Sequence, residues 1–188
     1  YFDLIAWLTA RNKKIFADLK FYDIPATVER AVRALSRHPV RFATVHGDRT
    51  IMAAAARGKG EHLQILAVTV LTSLDEKSLE EMGYSGNLQS LVLQRARGAV
   101  EAGLDGVIAS GLEAALIRET LGAAPLIVTP GVRPPGGGTH DQKRVVTIEQ
   151  AFANGADHIV VGRPIRDAAD PRSVAGSIQR QIAALFEG

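Results

Sequence analysis

The stretch FADLKFYDIPATVERAV, residues 16–32, carries the reading of this chain. The apolar run Ile15-Phe16-Ala17 has the character of a buried strand about to end. Three charged side chains follow at once, Asp18, Lys20 and Asp23, and helix-like spacing begins by Thr27. On a strand, Asp18 and Lys20 share one face because side chains alternate with period two. Pro25 stops regular pairing, and Thr27 is placed to cap the next helix. The segment therefore reads as strand, charged mouth and helix, one βα unit with its polar groups at the strand's carboxyl end.

The same unit recurs along the chain. Apolar runs appear at KIFADLK (14–20), RFATVHG (41–47), QILAVTVLTS (64–73), DGVIASG (105–111), PLIVTPGVR (125–133) and HIVVGRP (158–164). Helical segments such as TVERAVRALSRH (27–38) and SLVLQRARGAVEAG (90–103) separate them, with an extra one, LDEKSLEEMG, at 74–83. Continuous apolar strands alternating with helices predict a parallel sheet buried on both faces. The opening YFDLIAWLTARNKK predicts an amphipathic helix with Phe2, Ile5, Trp7 and Leu8 inward, not a signal peptide. The expectation is one α/β domain, residues 1–188. An eight-stranded barrel and a doubly wound open sheet both accommodate six such units.

Composition narrows the function. Of 188 residues, 46% are hydrophobic and 22% charged, sufficient for one sizeable core. The net charge of +2, from 22 basic and 20 acidic residues, supplies no extended basic field, so no nucleic-acid partner is expected. No apolar run approaches the roughly 18 residues of a membrane span, so no membrane partner is expected either. The absence of cysteine excludes disulfides, thiol catalysis and thiolate-bound metals, and a cytoplasmic location is expected.

Four stretches carry chemistry. Asp18 and Lys20 alone fit an ordinary ion pair equally well; in a closing pocket, alternating charges can oppose an anionic substrate group. In VTPGVRPPGGGTHDQKR (128–144), glycines 136 to 138 let backbone amides approach a ligand, and Arg133, Gln142 and Arg144 add donors. A solvated surface loop is the plainer alternative. In IVVGRPI (159–165), Gly162 opens a turn and Arg163 starts a helix, a natural phosphate seat. In VTVLTS (68–73), Thr72 and Ser73 either meet a substrate or cap a helix. The five histidines are scattered without metal-ligand grouping, His46 ends a strand, and Asp48 and Asp75 read as turn or cap residues. No dinucleotide or Walker fingerprint occurs.

Taken in order, DLKFYDIPAT (18–27), VTVLTS (68–73), VTPGVRPPGG…DQKR (128–144) and VVGRPI (160–165) resemble the orotidine 5'-phosphate decarboxylase family of bacterial type. The resemblance implies a TIM (β/α)8 barrel, with the third to eighth βα units present here. The chain starts with Tyr, so the first two strands are expected upstream, together with a further lysine of the charge row and a ribose-binding aspartate. Residues 1–188 alone are accordingly expected to be inactive and aggregation-prone. The family implies cofactor-independent and metal-free conversion of orotidine 5'-phosphate to UMP. By this likeness, Asp18 crowds the substrate carboxylate and Lys20 protonates C6. Asp23, Ile24 and Thr27 would reach a neighbouring subunit's site in a homodimer. Thr72 would meet the base, and Arg133, Gln142, Gly162 and Arg163 the phosphate. Two alternatives share parts of the pattern: a metal-dependent sugar-phosphate decarboxylase of the same superfamily, such as 3-keto-L-gulonate 6-phosphate decarboxylase, and a non-catalytic phosphate-binding barrel.

Overall fold

The computed structural model describes residues 1–133 and 144–187. Each apolar run forms a strand: β1 (Phe16–Phe21), β2 (Phe42–His46), β3 (Gln64–Val68), β4 (Gly106–Ile108), β5 (Leu126–Thr129) and β6 (His158–Ile159). Around them lie α1 (Phe2–Thr9), α2 (Pro25–Leu35), α3 (Arg49–Gly58), α4 (Glu76–Glu81), α5 (Leu88–Glu101), α6 (Ala114–Leu121), α7 (Ile148–Ala153), α8 (Arg163–Arg166) and α9 (Pro171–Phe186). Every pairing is parallel, and the strands stand in chain order from β1 to β6. A doubly wound sheet reverses its order at a switch point. This sheet does not reverse, so it winds as a barrel does, forming a half-barrel of six strands. Its curl is visible inside, where Phe42 of β2 meets the ring of His158 of β6 at 5.3 Å.

Alternation along the strands builds two apolar layers. Ala17, Ala43, Val45, Ile65, Ala67, Val107 and Ile127 join the helices' buried residues, including Val32, Met52, Val92 and Ile117. The intervening Leu66, Val68, Ile108 and Val128 pack on the other face with Phe16, Phe42 and Val160. Both faces are apolar, as parallel strands require. At Gly106 the fit to β5 is so close that an added Cβ would lie 2.2 Å from the Leu126 carbonyl oxygen.

Helix starts follow local chemistry. Asp48, Asp75, Asn87, Thr147 and Asp170 each accept a backbone N–H of the first turn, and Thr147 forms a full capping box with Gln150. Thr27 is not a cap. Helix α2 begins earlier, with Ile24 at the cap and Pro25 in its first turn, where a fixed φ and a missing N–H cost nothing. In α1, Ile5 is buried and Leu8 packs on the core, but Phe2 and Trp7 are each 52% exposed. Phe2 instead stacks on His38, and Trp7 lies under the Arg11 guanidinium. Among the described residues, no helix is long and apolar enough to cross a membrane.

The amino ends of the strands are tied by a repeated device. Asp105, before β4, donates its N–H to the Ile65 carbonyl, and its carboxylate accepts the Ile65 N–H at 2.8 Å. Lys59 closes on the same carboxylate at 2.8 Å. Two βα units later, Asp157 repeats this with Ile127 and with Arg118, at 2.7 and 2.8 Å.

Candidate active site

The carboxyl ends are built differently, beginning with β1. Ala17 pairs with Ala43 and Phe21 with Val45, so Asp18, Leu19 and Lys20 lie opposite the single residue Thr44. Extra residues on one strand make a bulge and re-aim its side chains. Lys20 takes up the turn with φ of 47°, a left-handed conformation uncommon outside glycine. Asp18 and Lys20 do meet, with Nζ 2.5 Å from Oδ2. The bulge brings them together, in place of simple alternation along a regular strand. Their side chains remain 48% and 38% exposed, open to whatever enters.

The pair stands over a cavity of about 220 Å³ whose walls include Phe16, Val68, Ile108 and Val160. Thr72 and Ser73 add hydroxyls at its rim. Thr72 is buried and lies outside α4, which Asp75 caps. Apolar walls around one ion pair make a low-dielectric recess in which a charge acts strongly on a bound molecule.

Asp23 and Ile24 lie elsewhere. They are exposed and border a second, shallower hollow with Tyr22, Asp48, Thr50 and Ile51. Asp23 Oδ1 accepts the N–H of Ile24 at 2.7 Å. Thr27 is half-buried, within 3.4 Å of Arg30. Within this chain these three are not brought onto the Asp18–Lys20 cavity.

Toward the end of the chain, Gly162 caps α8 and Arg163 opens it, half-buried. Val160 of the same turn reaches the main cavity wall. Arg133 is buried, its Nη1 donating to the Val132 carbonyl and its backbone N–H to that of Val146. Gln142 and glycines 136 to 138 lie outside the described residues. Arg144 is turned inward: it donates to the carbonyls of Val70 and Leu71 at 3.1 and 2.8 Å, and its Nη1 is 2.9 Å from buried Glu113. Val70 and Leu71 line the cavity, so this arginine braces the wall from behind.

His46 packs its ring against Tyr22 at 4.7 Å. Burial first, then the positive charges of Arg95 and Lys20, push its imidazole below the ordinary range. Both effects favour the neutral form of the ring. Among the described residues, no group of three or more histidine, aspartate or glutamate side chains is placed to hold a metal ion.

Sequence reasoning missed Thr44 and Glu113. Thr44 lies unremarked within the run RFATVHG, where a β-branched residue suits any buried strand. Glu113 carries one signal that could have found it, its place among apolar neighbours in the run GLEAALI.

With this geometry in view, the relatives are informative. A family model described as "Orotidine 5'-phosphate decarboxylase / HUMPS family" matches residues 2–178. The orotidine 5'-phosphate decarboxylase of Methylococcus capsulatus is 58% identical over 98% of this chain and 76% of its own length. That of Stenotrophomonas maltophilia is 49% identical over 99% of this chain and 78% of its own. The crystal structure of the Lactobacillus acidophilus orotidine 5'-phosphate decarboxylase superposes with a TM-score of 0.82 at 36% identity, covering 95% of this chain and 79% of that one. The chain belongs to the orotidine 5'-phosphate decarboxylase / HUMPS family.

Proposed function

We propose that the protein to which this chain belongs decarboxylates orotidine 5'-phosphate to UMP in pyrimidine synthesis. Family membership and relatives of that name support the substrate. The single observation that carries the chemistry is the Asp18–Lys20 pair, 2.5 Å apart, at the mouth of an apolar cavity. In this reading the Asp18 carboxylate, which lines the cavity, crowds the carboxylate of the bound substrate. As the bond from C6 to that carboxylate breaks, carbon dioxide leaves and the electron pair remains on C6. The Lys20 ammonium stabilises the developing carbanion and delivers a proton to it, and solvent then returns a proton to the amine. A cation acting on charge that exists only in the transition state lowers the barrier directly. No metal ion or organic cofactor takes part.

The remaining roles complete the reading. Thr72 contacts the base, while Gly162, Arg163, Arg133 and Gln142 hold the phosphate, where a helix start and arginines favour an anion. Asp23, Ile24 and Thr27 serve the site of a second subunit in a homodimer. The exposure of Asp23 and of Ile24, at 67% for the latter, supports this. The chain acts as one domain whose six strands correspond to the third to eighth of a (β/α)8 barrel, and it works in the cytoplasm.

The test is a spectrophotometric assay of orotidine 5'-phosphate loss by the complete gene product and its Lys20→Ala variant. Turnover that survives a strong chelator and collapses in the variant is the expected result. Failure of the unaltered protein to consume the substrate sinks the assignment, and full activity in the variant removes Lys20 from the chemistry. Activity that needs an added divalent ion points instead to a metal-dependent sugar-phosphate enzyme of the same superfamily.

A further inference from the structure

The irregular end of β1 needs something to hold it, and one side chain is placed to do so. Thr44 is fully buried in the middle of β2. Its Oγ1 accepts the backbone N–H of Lys20 at 2.9 Å and donates to Asp18 Oδ1 at 2.8 Å. The other carboxylate oxygen, Oδ2, takes the Lys20 ammonium. A hydroxyl has one proton to donate. Because the Lys20 N–H must itself donate, the Thr44 proton is committed to Asp18, and the bridge has one sense. The bulge removes Lys20 from the regular ladder, and the hydroxyl supplies the acceptor its N–H then lacks. A left-handed non-glycine residue persists only where its surroundings over-determine it.

We propose that Thr44 is the positioning residue of this site: its hydroxyl holds the Lys20 backbone and the Asp18 carboxylate in the one arrangement that aims the pair into the cavity. The inference rests on the reading that Asp18 and Lys20 carry the chemistry. Thr44 lies outside the cavity lining and acts through those two residues. A valine there keeps the shape and loses both hydrogen bonds. The freed Lys20 backbone can then relax and move the ammonium off its line to the reacting carbon.

The experiment compares the complete wild-type gene product with its Thr44→Val, Thr44→Ser and Lys20→Ala variants, recording kcat, KM and melting temperature for each. A misplacement of about 1 Å costs on the order of 10²-fold in rate, so Thr44→Val is expected to lower kcat by that factor. KM should stay close to wild type, and Thr44→Ser, which keeps the hydroxyl, should restore most of kcat. With wild type active and Lys20→Ala inactive, a Thr44→Val enzyme with wild-type kcat overturns the role of Thr44 alone. So does a change confined to KM, or a serine variant as slow as the valine one. Should Thr44→Val fail to fold, Thr44→Ala carries the same expectation. Loss of folding in both overturns the proposal in favour of a purely structural threonine. An inactive wild type or a fully active Lys20→Ala overturns the reading beneath it.

Discussion

The two ends of the half-barrel use the same chemical groups for opposite purposes. At the amino end, Asp105 and Asp157 are each bound on two sides, by the N–H of the preceding strand and by Lys59 or Arg118. Those carboxylates satisfy backbone donors and hold two strand pairs in register. At the carboxyl end, Asp18 and Lys20 sit on a bulge, about half exposed, with the cavity before them. The ion pairs look alike by distance. What differs is the backbone beneath them: regular ladders at one end, a left-handed residue at the other. The comparison teaches that an acid–base pair close to a strand is no guide to function until the register around it is known.

Four measurements would break or sharpen that contrast. The largest effect is expected for Lys20→Ala, a fall of about 10³-fold in kcat with the melting temperature little changed. A large loss of stability in place of rate would mean that the carboxyl-end pair is structural after all. Next comes Glu113→Gln, which leaves the Arg144 guanidinium buried without its acid; a cost of about 3–5 kcal/mol in denaturant unfolding is expected. Unchanged stability would show that Arg144 finds another partner and that the bracing contact is dispensable.

Asp105→Ala is the counterpart at the amino end. It strands the Ile65 N–H and the Lys59 ammonium, so a loss of roughly 1–3 kcal/mol is expected with kcat unaltered. A drop in kcat at full stability would erase the distinction between the ends. The smallest effect concerns pH. The folded-state imidazole of His46 titrates below its ordinary range, so the unfolded chain binds the extra proton more readily. Stability should be flat above the ordinary imidazole range and fall as pH drops through it toward the lowered folded value. His46→Gln should remove that part of the slope; an unchanged pH–stability curve would show that His46 contributes none.

Much of this architecture was legible in local sequence. The six apolar runs mark the six strands, because burial on both faces leaves a continuous apolar signature that needs no knowledge of the partner strand. Asp48 and Asp75 announce themselves as caps, since a short acceptor before a helical pattern satisfies that helix's own first turn. Phe2 and Trp7 were misplaced because apolar spacing says which face is greasy, not whether enough core exists to cover it. Thr27 was misplaced because Pro25 competes for the same helix start and wins through its preset φ.

The site divides in the same way. The residue types and order of DLKFYDIPAT, VTVLTS and VVGRPI are fixed in the chain itself, and they suffice to bring the decarboxylase family into view. That Asp18 and Lys20 meet by a bulge, that Thr44 bridges them across 26 residues, and that Arg144 turns inward to Glu113 came only from the tertiary structure. The physical reason is range. Periodicity, capping and turn chemistry act between near neighbours, whereas register, strand order and the partner of a buried charge are settled when distant strands pack together.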